Sequence, residues 1–327
     1  MIIAITPDAG RLQPVDASNP QSLARAVWID VIEPTDDERR EIERHVGLYV
    51  SSAAELQEIE HSSRLSTEEG ALYLSMPLVQ HADRRGIRST PLGFVLTRER
   101  LLTVRYSASR SFDLVHERAL RFDESHQSGT HIFVTLLEVV VDRLADELEQ
   151  IRDDLDKISR QIFQEDLSSG RAPRQDEKAL RSVLRAVGTS GDLVSRIRDS
   201  LLGVARIVPY TAQMAAEFLP GDAKARLETV RDDVGSLNGY EEHLTEKIQF
   251  LLDATLGFIN IAQNTIMKVF TVFSVAGIPP VLVAGIYGMN FKGMPELGWA
   301  WGYPYGLALI ALTTIAPLAA FKWRGWL

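Results

Sequence analysis

Two long stretches without a single charge occupy the carboxy-terminal end of this 327-residue chain. Nineteen uncharged residues run over 269–287 and twenty-five over 297–321. A helix rises about 1.5 Å per residue, so each run is long enough to cross a hydrocarbon core of roughly 30 Å. Core helices of soluble domains rarely stay uncharged beyond about 14 residues. Two such runs in succession, closed by Lys322 and Arg324, read as a membrane-spanning helical hairpin. Trp299, Trp301, Tyr303 and Tyr305 gather at one end of the second run, Trp323 and Trp326 at the other. That is the placement expected of aromatic rings at two membrane interfaces. The connection between the runs opens Gly288-Met289-Asn290 and carries Glu296.

Charge and composition narrow the rest. A net charge of −9 and a pI near 5.4 argue against nucleic acid as a partner and suit a protein that handles cations. The chain has no cysteine, which excludes disulfides, thiolate metal sites and cysteine nucleophiles. Residues 1–4 offer neither a basic flank nor enough apolar length for a signal peptide. Basic residues follow the second run, and only Lys292 lies between the two. The positive-inside rule then places both termini in the cytoplasm.

Residues 1–128 read as an α/β domain. Strands are expected over 2–6, 26–32, 71–79, 92–97 and 101–106, with Arg98-Glu99-Arg100 turning a hairpin between the last two. Thr35 followed three residues later by Glu38 marks a capped helix start, and 51–60 reads as a second helix. Trp28 and Asp30 end an apolar strand, a pattern that reads as structural. No phosphate loop, nucleophile elbow or His-Glu-x-x-His is present, so nothing supports an enzyme. Among the seven histidines, His126 and His131 are the closest pair; they fall in a loop and at a helix start, which speaks against a metal pair.

Helical periodicity then takes over, with segment 129–220 read as antiparallel cytoplasmic helices. Ile132, Leu136, Val140, Leu144, Leu148, Ile151, Leu155, Ile158 and Ile162 recur at three-four spacing. The opposite face is acidic, including Asp142, Asp146, Glu147, Glu149, Asp153, Asp154 and Asp156, and reads as a solvated face paired with Arg143, Arg152 and Lys157. Ser168 to Pro173 turns into a further helix over 174–203. A stalk helix over 221–265, seamed by Leu227, Val230, Val234, Leu237, Leu244, Ile248, Leu251 and Phe258, runs on into the first span, 266–287. Only Glu241 and Thr255 interrupt that seam, and Pro279-Pro280 predicts a kink near Val275 and Ala276. A loop over 288–298, a second span over 299–321 and a basic tail over 322–327 complete the chain.

Two spans cannot enclose a water-filled path alone, so conduction requires several copies around an axis. Asn260, Asn264, Met267, Thr271 and Ser274 recur at steps of four, three, four and three, forming one helical face. Such a stripe faces water or protein rather than lipid. Hydrogen bonding between helices accounts for it equally well, and periodicity leaves both readings open.

The motif resolves the choice. Tyr287-Gly288-Met289-Asn290-Phe291, then Met294-Pro295-Glu296-Leu297 and Trp301-Gly302-Tyr303-Pro304, closely resembles the CorA-type magnesium transport family. The match is dense over 271–327 and diffuse over the rest. The resemblance implies an α/β cytoplasmic domain, a long helical stalk and two transmembrane helices, assembled as a funnel-shaped homopentameric channel in the inner membrane. Gly288, Met289 and Asn290 would form the outer pore mouth. Asn260, Asn264, Met267, Phe270, Thr271, Ser274 and Val281 would line the pore, with an apolar constriction at Met267 and Phe270. Lys322 and Arg324 would ring the inner mouth. Asp253 resembles the family's stalk acid in a regulatory Mg2+ site between subunits, with Asp83 and Glu68 as candidate partners. Membrane lipid, divalent cations and further copies of the chain are then its partners. Magnesium demands near-octahedral oxygen coordination and sheds water reluctantly, so a ring of Asn290 carboxamides would hold the hydrated ion through its waters.

Two positions depart from the family. Lys292 stands where an acid often follows, and Val281 where many members carry Thr; both bear on ion preference. A Co2+, Ni2+ or Zn2+ carrier on the same scaffold is the first alternative, although Met289 is kept where the zinc branch varies. A membrane-anchored scaffold or signalling protein is the second, and the short outer loop speaks against it.

Overall fold

The computed structural model describes the chain except for residues 9–10, 59, 61–63, 83–85, 123–125, 164–176, 290–292 and 326–327. The chain divides into two units, Met1–Gly170 with Arg185–Leu251, and Arg171–Leu184 with Leu252–Leu327.

The first unit is built on a seven-stranded sheet. Its strands are β1 (Ile2–Asp8), β2 (Arg11–Val15), β3 (Trp28–Ile32), β4 (Leu65–Glu68), β5 (Ala71–Ala82), β6 (Gly86–Leu96) and β7 (Leu101–Arg105), in the order β2-β1-β3-β7-β6-β5-β4. The central pair β3 and β7 is parallel, and every other neighbouring pair is antiparallel. All five expected strands form, and the Arg98-Glu99-Arg100 turn joins β6 to β7. The edge strands β2 and β4 were not expected, because edges are short and largely exposed and show little alternation. β6 begins six residues earlier than its apolar run, at Gly86. Its pairing with β7 covers only Leu92 to Leu96, so Pro91 falls where β7 makes no demand on its missing N–H.

Each sheet face buries helices. On one face, α1 (Pro20–Arg25), α2 (Asp36–Val46) and α3 (Ala53–Leu56) set Leu23, Ile42 and Leu56 against Ile29, Val31, Val95 and Val104. Thr35 and Glu38 form the reciprocal capping box read from the sequence, and Gly47 ends α2 in the left-handed region at φ 73°. The helix expected over 51–60 is a single turn, α3, opened by a Ser52–Glu55 box. On the other face, α4 (Arg110–Ala119) and α5 (Gly129–Phe163) pack through Phe112, Val115 and Phe133, with Phe94 edge-on to Phe133 at 5.3 Å. α4 was not anticipated; its ten residues bury only a narrow stripe.

All nine seam residues of α5 are buried, which is why its 35 residues hold together. Glu147 is buried too, paired with Arg143 at 3.2 Å, so it leaves the acidic face to which the sequence assigned it. α6 (Glu177–Met214) runs past Gly203 and through Pro209, and the 168–173 turn lies outside the described residues. α7 (Gly221–Tyr287) is one helix of 67 residues, on the order of 100 Å. Its assignment continues unbroken through Pro279 and Pro280. Glu241, which interrupts the seam, is buried and accepts from Arg198 Nε at 2.8 Å and Thr245 Oγ1 at 2.8 Å.

In the second unit, α7 continues to Tyr287, a 3-10 turn covers Pro295–Gly298, and α8 spans Gly302–Trp323. Over their most apolar stretches both helices are bare: 6 % of that of α7 is covered and 0 % of that of α8. The core helix of a soluble protein would be mostly buried, and these stretches are not.

Candidate transport site

The candidate pore face lies on α7. Asn260, Asn264, Met267, Phe270 and Val281 are exposed, and Thr271 and Ser274 are half-buried. Thr271 Oγ1 donates to the Met267 carbonyl at 2.8 Å, which spends its proton on the helix and leaves oxygen lone pairs outward. The stripe divides into two clefts. Asn264, Met267 and Thr271 line one of about 420 Å³ together with Lys268. Phe270, Ser274 and Val281 line another of about 510 Å³. Lys268 passed unremarked in the sequence because one charge hardly lowers the apolarity of a long span. It is exposed beside the residues proposed to carry a cation.

At the mouth, α7 stops where the motif begins. Gly288 N donates to the Ala284 carbonyl at 2.9 Å and Met289 N to Ile286 at 3.2 Å. A Cβ on Gly288 would sit 3.1 Å from the Ala284 oxygen, tight for any side chain. Met289 is exposed. Asn290, Phe291 and Lys292 lie outside the described residues.

The second half of the motif folds a compact turn. The Glu296 carbonyl accepts from Trp299 N at 3.3 Å, and Trp299 in turn accepts from Gly302 N at 3.0 Å. A Cβ at position 302 would come within 2.2 Å of the Glu296 carbonyl oxygen, so the turn admits only glycine there. The Trp299 and Tyr305 rings meet edge-on at 6.2 Å. At the far end of α8, Lys322 and Arg324 are exposed and Gly325 closes the helix at φ 70°. Trp326 lies outside the described residues.

Asp253 is exposed on α7 just after Leu251, Glu68 is exposed on β4, and Asp83 lies outside the described residues. The later part of the acidic face of α5, Asp153 to Asp156, is paired with cations of the chain. Lys157 meets Asp154 at 2.8 Å and Lys247 meets Asp156, and those contacts hold both carboxyls below their usual range. That favours the solvated-face reading.

A sheet-and-helix unit is followed by one long helix, α7, whose far end and α8 are bare and apolar, the arrangement of a two-span membrane protein. The family described as CorA-like Mg2+ transporter protein matches residues 24–323, and the chain belongs to it. The magnesium transport protein CorA of Salmonella typhimurium is 34 % identical over 328 residues, with 100 % of both chains covered. The protein of the same name from Escherichia coli is 33 % identical, also over 100 % of both. The complete structure of the CorA magnesium transporter from Methanocaldococcus jannaschii superposes with a TM-score of 0.76 at 18 % identity, covering 100 % of this chain and 99 % of that one. These relatives are named as transport proteins rather than enzymes.

Proposed function

We propose that this protein carries Mg2+ into the cell across the inner membrane, as a homo-oligomer with both termini in the cytoplasm. The observation that carries the reading is the bare apolar surface of α7 and α8, in a chain whose full length aligns with magnesium transport proteins. Lipid and further copies of the chain would cover that surface. The family resemblance favours five copies, with the α7 face turned to the axis.

In that arrangement Asn260, Asn264, Met267, Phe270, Thr271, Ser274 and Val281 line the path. Met267 and Phe270 form an apolar constriction that closes by dewetting. Gly288 and Met289 end the helix so that Asn290 carboxamides ring the mouth, and Glu296 adds acidic charge to the loop. Lys322 and Arg324 stand at the cytoplasmic end. Asp253 joins a regulatory Mg2+ site between subunits, where the ion offsets repulsion between carboxylates and favours the closed state. Loss of intracellular Mg2+ then opens the channel. Lys268, which also lines a groove with Thr314 and Leu318 of α8, lies to the side of the pore face and reaches lipid headgroups through its long stem.

Protein reconstituted into liposomes loaded with a Mg2+-sensitive dye should admit Mg2+ added outside, and protein-free liposomes should not. The same assay with Co2+, Ni2+ and Zn2+ ranks the ions. Equal dye signals with and without protein would overturn the proposal.

A further inference from the structure

Far along the chain from the transport residues, in the first unit, three side chains meet that have no part in the account above. His126 lies just before α5, His131 in the first turn of α5 and Asp222 in the first turn of α7. One ligand atom from each lies within 4.8 Å of the others. His131 Nε2 is 2.9 Å from Asp222 Oδ2, and His126 Nε2 is 3.6 Å from the same oxygen. The imidazoles stand edge-on, with centroids 4.9 Å apart. Asp222 is separated from His131 by 91 residues, so the sequence alone showed only a pair of histidines.

We infer that His126, His131 and Asp222 form a binding site for a borderline divalent cation of the Zn2+, Co2+ or Ni2+ type. The ligand set selects the class. Imidazole nitrogen suits these ions, whereas Mg2+ demands an all-oxygen octahedral shell. A tetrahedral ion about 2.0–2.1 Å from each atom separates its ligands by roughly 3.3 Å. The two distances to Asp222 straddle that value, and all three ligand atoms lie within 4.8 Å of one another, so side-chain rotation that draws the two imidazoles together would complete the set.

The surroundings favour it. The His131 side chain is only 4 % exposed and its ring is held from behind. Ser128 Oγ accepts from the His131 backbone N–H at 3.3 Å and lies 2.7 Å from His131 Nδ1. When Nδ1 donates to that hydroxyl, the Nε2 lone pair points at a carboxylate oxygen, and only a cation or a proton reconciles the two. A partner on the other ring nitrogen is how metal-bound histidines are oriented. Arg226, one turn beyond Asp222, is engaged by Glu138 at 2.6 and 2.8 Å and by Thr135 at 2.7 Å, so among the described residues Asp222 is shared only between the histidines and backbone N–H groups at the start of α7. His126 and Asp222 are 40 % and 51 % exposed, which provides an entry route.

Two helix starts oppose a cation there, since each presents the positive end of its dipole. The Asp222 carboxylate offsets them, and direct coordination by three ligands exceeds a dipole effect that fades within one turn. A bound ion would tie the start of α5 to the start of α7.

The test uses the full-length protein in detergent with Co2+ as the probe. With Mg2+ in hundredfold excess to fill oxygen sites such as that at Asp253, wild type should bind one Co2+ per chain with the visible absorption of a tetrahedral, nitrogen-ligated ion, displaced by Zn2+. His126→Ala and Asp222→Asn should each weaken binding at least tenfold. His126 is half-exposed, so His126→Ala should keep the metal-free unfolding midpoint and the rate of Mg2+ influx. Wild type, but not His126→Ala, should gain thermal stability from Zn2+. Equal Co2+ affinity in wild type and His126→Ala would overturn the site. So would displacement of Co2+ by Mg2+, or an Asp222→Asn variant that is less stable yet binds Co2+ as wild type does, since that marks a plain ion pair.

Discussion

Asp30 shows how much a single residue can hold. Its carboxylate is fully buried in β3 and takes the Arg105 guanidinium at 2.9 Å to Nη2 and 3.1 Å to Nε, the Thr103 hydroxyl at 2.7 Å and His116 Nε2 at 3.1 Å. His116 stacks on Trp28 at 4.0 Å, and Trp28 Nε1 donates to Thr103 at 3.1 Å. Sheet and α4 are therefore fastened through one acid. Asp30→Ala would leave Arg105 buried without its partner, a loss of about 3–5 kcal/mol, read as a lower unfolding midpoint. Burial pushes the Asp30 carboxyl up, but the His116 hydrogen bond and the Arg105 charge outweigh it and leave the carboxyl below its usual range. A carboxyl depressed by folding contributes stability that is complete above the unfolded value of about 3.9 and is lost as pH falls through the folded one. The stability gap between wild type and Asp30→Asn should thus stay open from pH 7 to 5 and close only below about 4. A gap that closes between pH 7 and 5 would contradict the assignment. The sequence alone already classed Asp30 as structural, because an acid ending an apolar strand has no cluster of chemical partners nearby in sequence.

At the scale of elements, periodicity carried the long pieces and failed on the short ones. The seam of α5 and the seam of α7 were readable because burial repeats over many turns. β2, β4 and α4 were not, since five, four and ten residues carry too few buried positions to outweigh their polar neighbours. The motif and the stripe of α7 could be proposed from sequence because their residues lie close together along the chain. Asp222 beside the histidines could not be read in this way, because 91 residues separate it from His131. The tight turn before α8 gives this scale its prediction. Because a Cβ at position 302 would lie 2.2 Å from the Glu296 carbonyl, Gly302→Ala must open the turn. Mg2+ influx should fall at least several-fold, while Gly306→Ala, with open space around it, should transport normally. Equal rates for the two variants would show that the turn is not needed.

Across the whole molecule, the proposed account links ion binding at Asp253 to opening at the α7 face. Asp253→Lys places a fixed positive charge where the regulatory ion would bind. It should reduce the protection that Mg2+ gives the soluble unit against protease, and equal protection with equal concentration dependence would remove Asp253 from the sensor. The central claim is that hydrated Mg2+ enters through a ring of Asn290 carboxamides. Its most direct test is the rate of Mg2+ influx into proteoliposomes carrying Asn290→Ala, with Met289→Ala alongside and oligomeric state verified for both. A thioether is only a weak acceptor, so Met289→Ala should keep most of the wild-type rate. Asn290→Ala should assemble normally and lose nearly all influx; an assembled Asn290→Ala protein that transports Mg2+ at the wild-type rate would contradict the account.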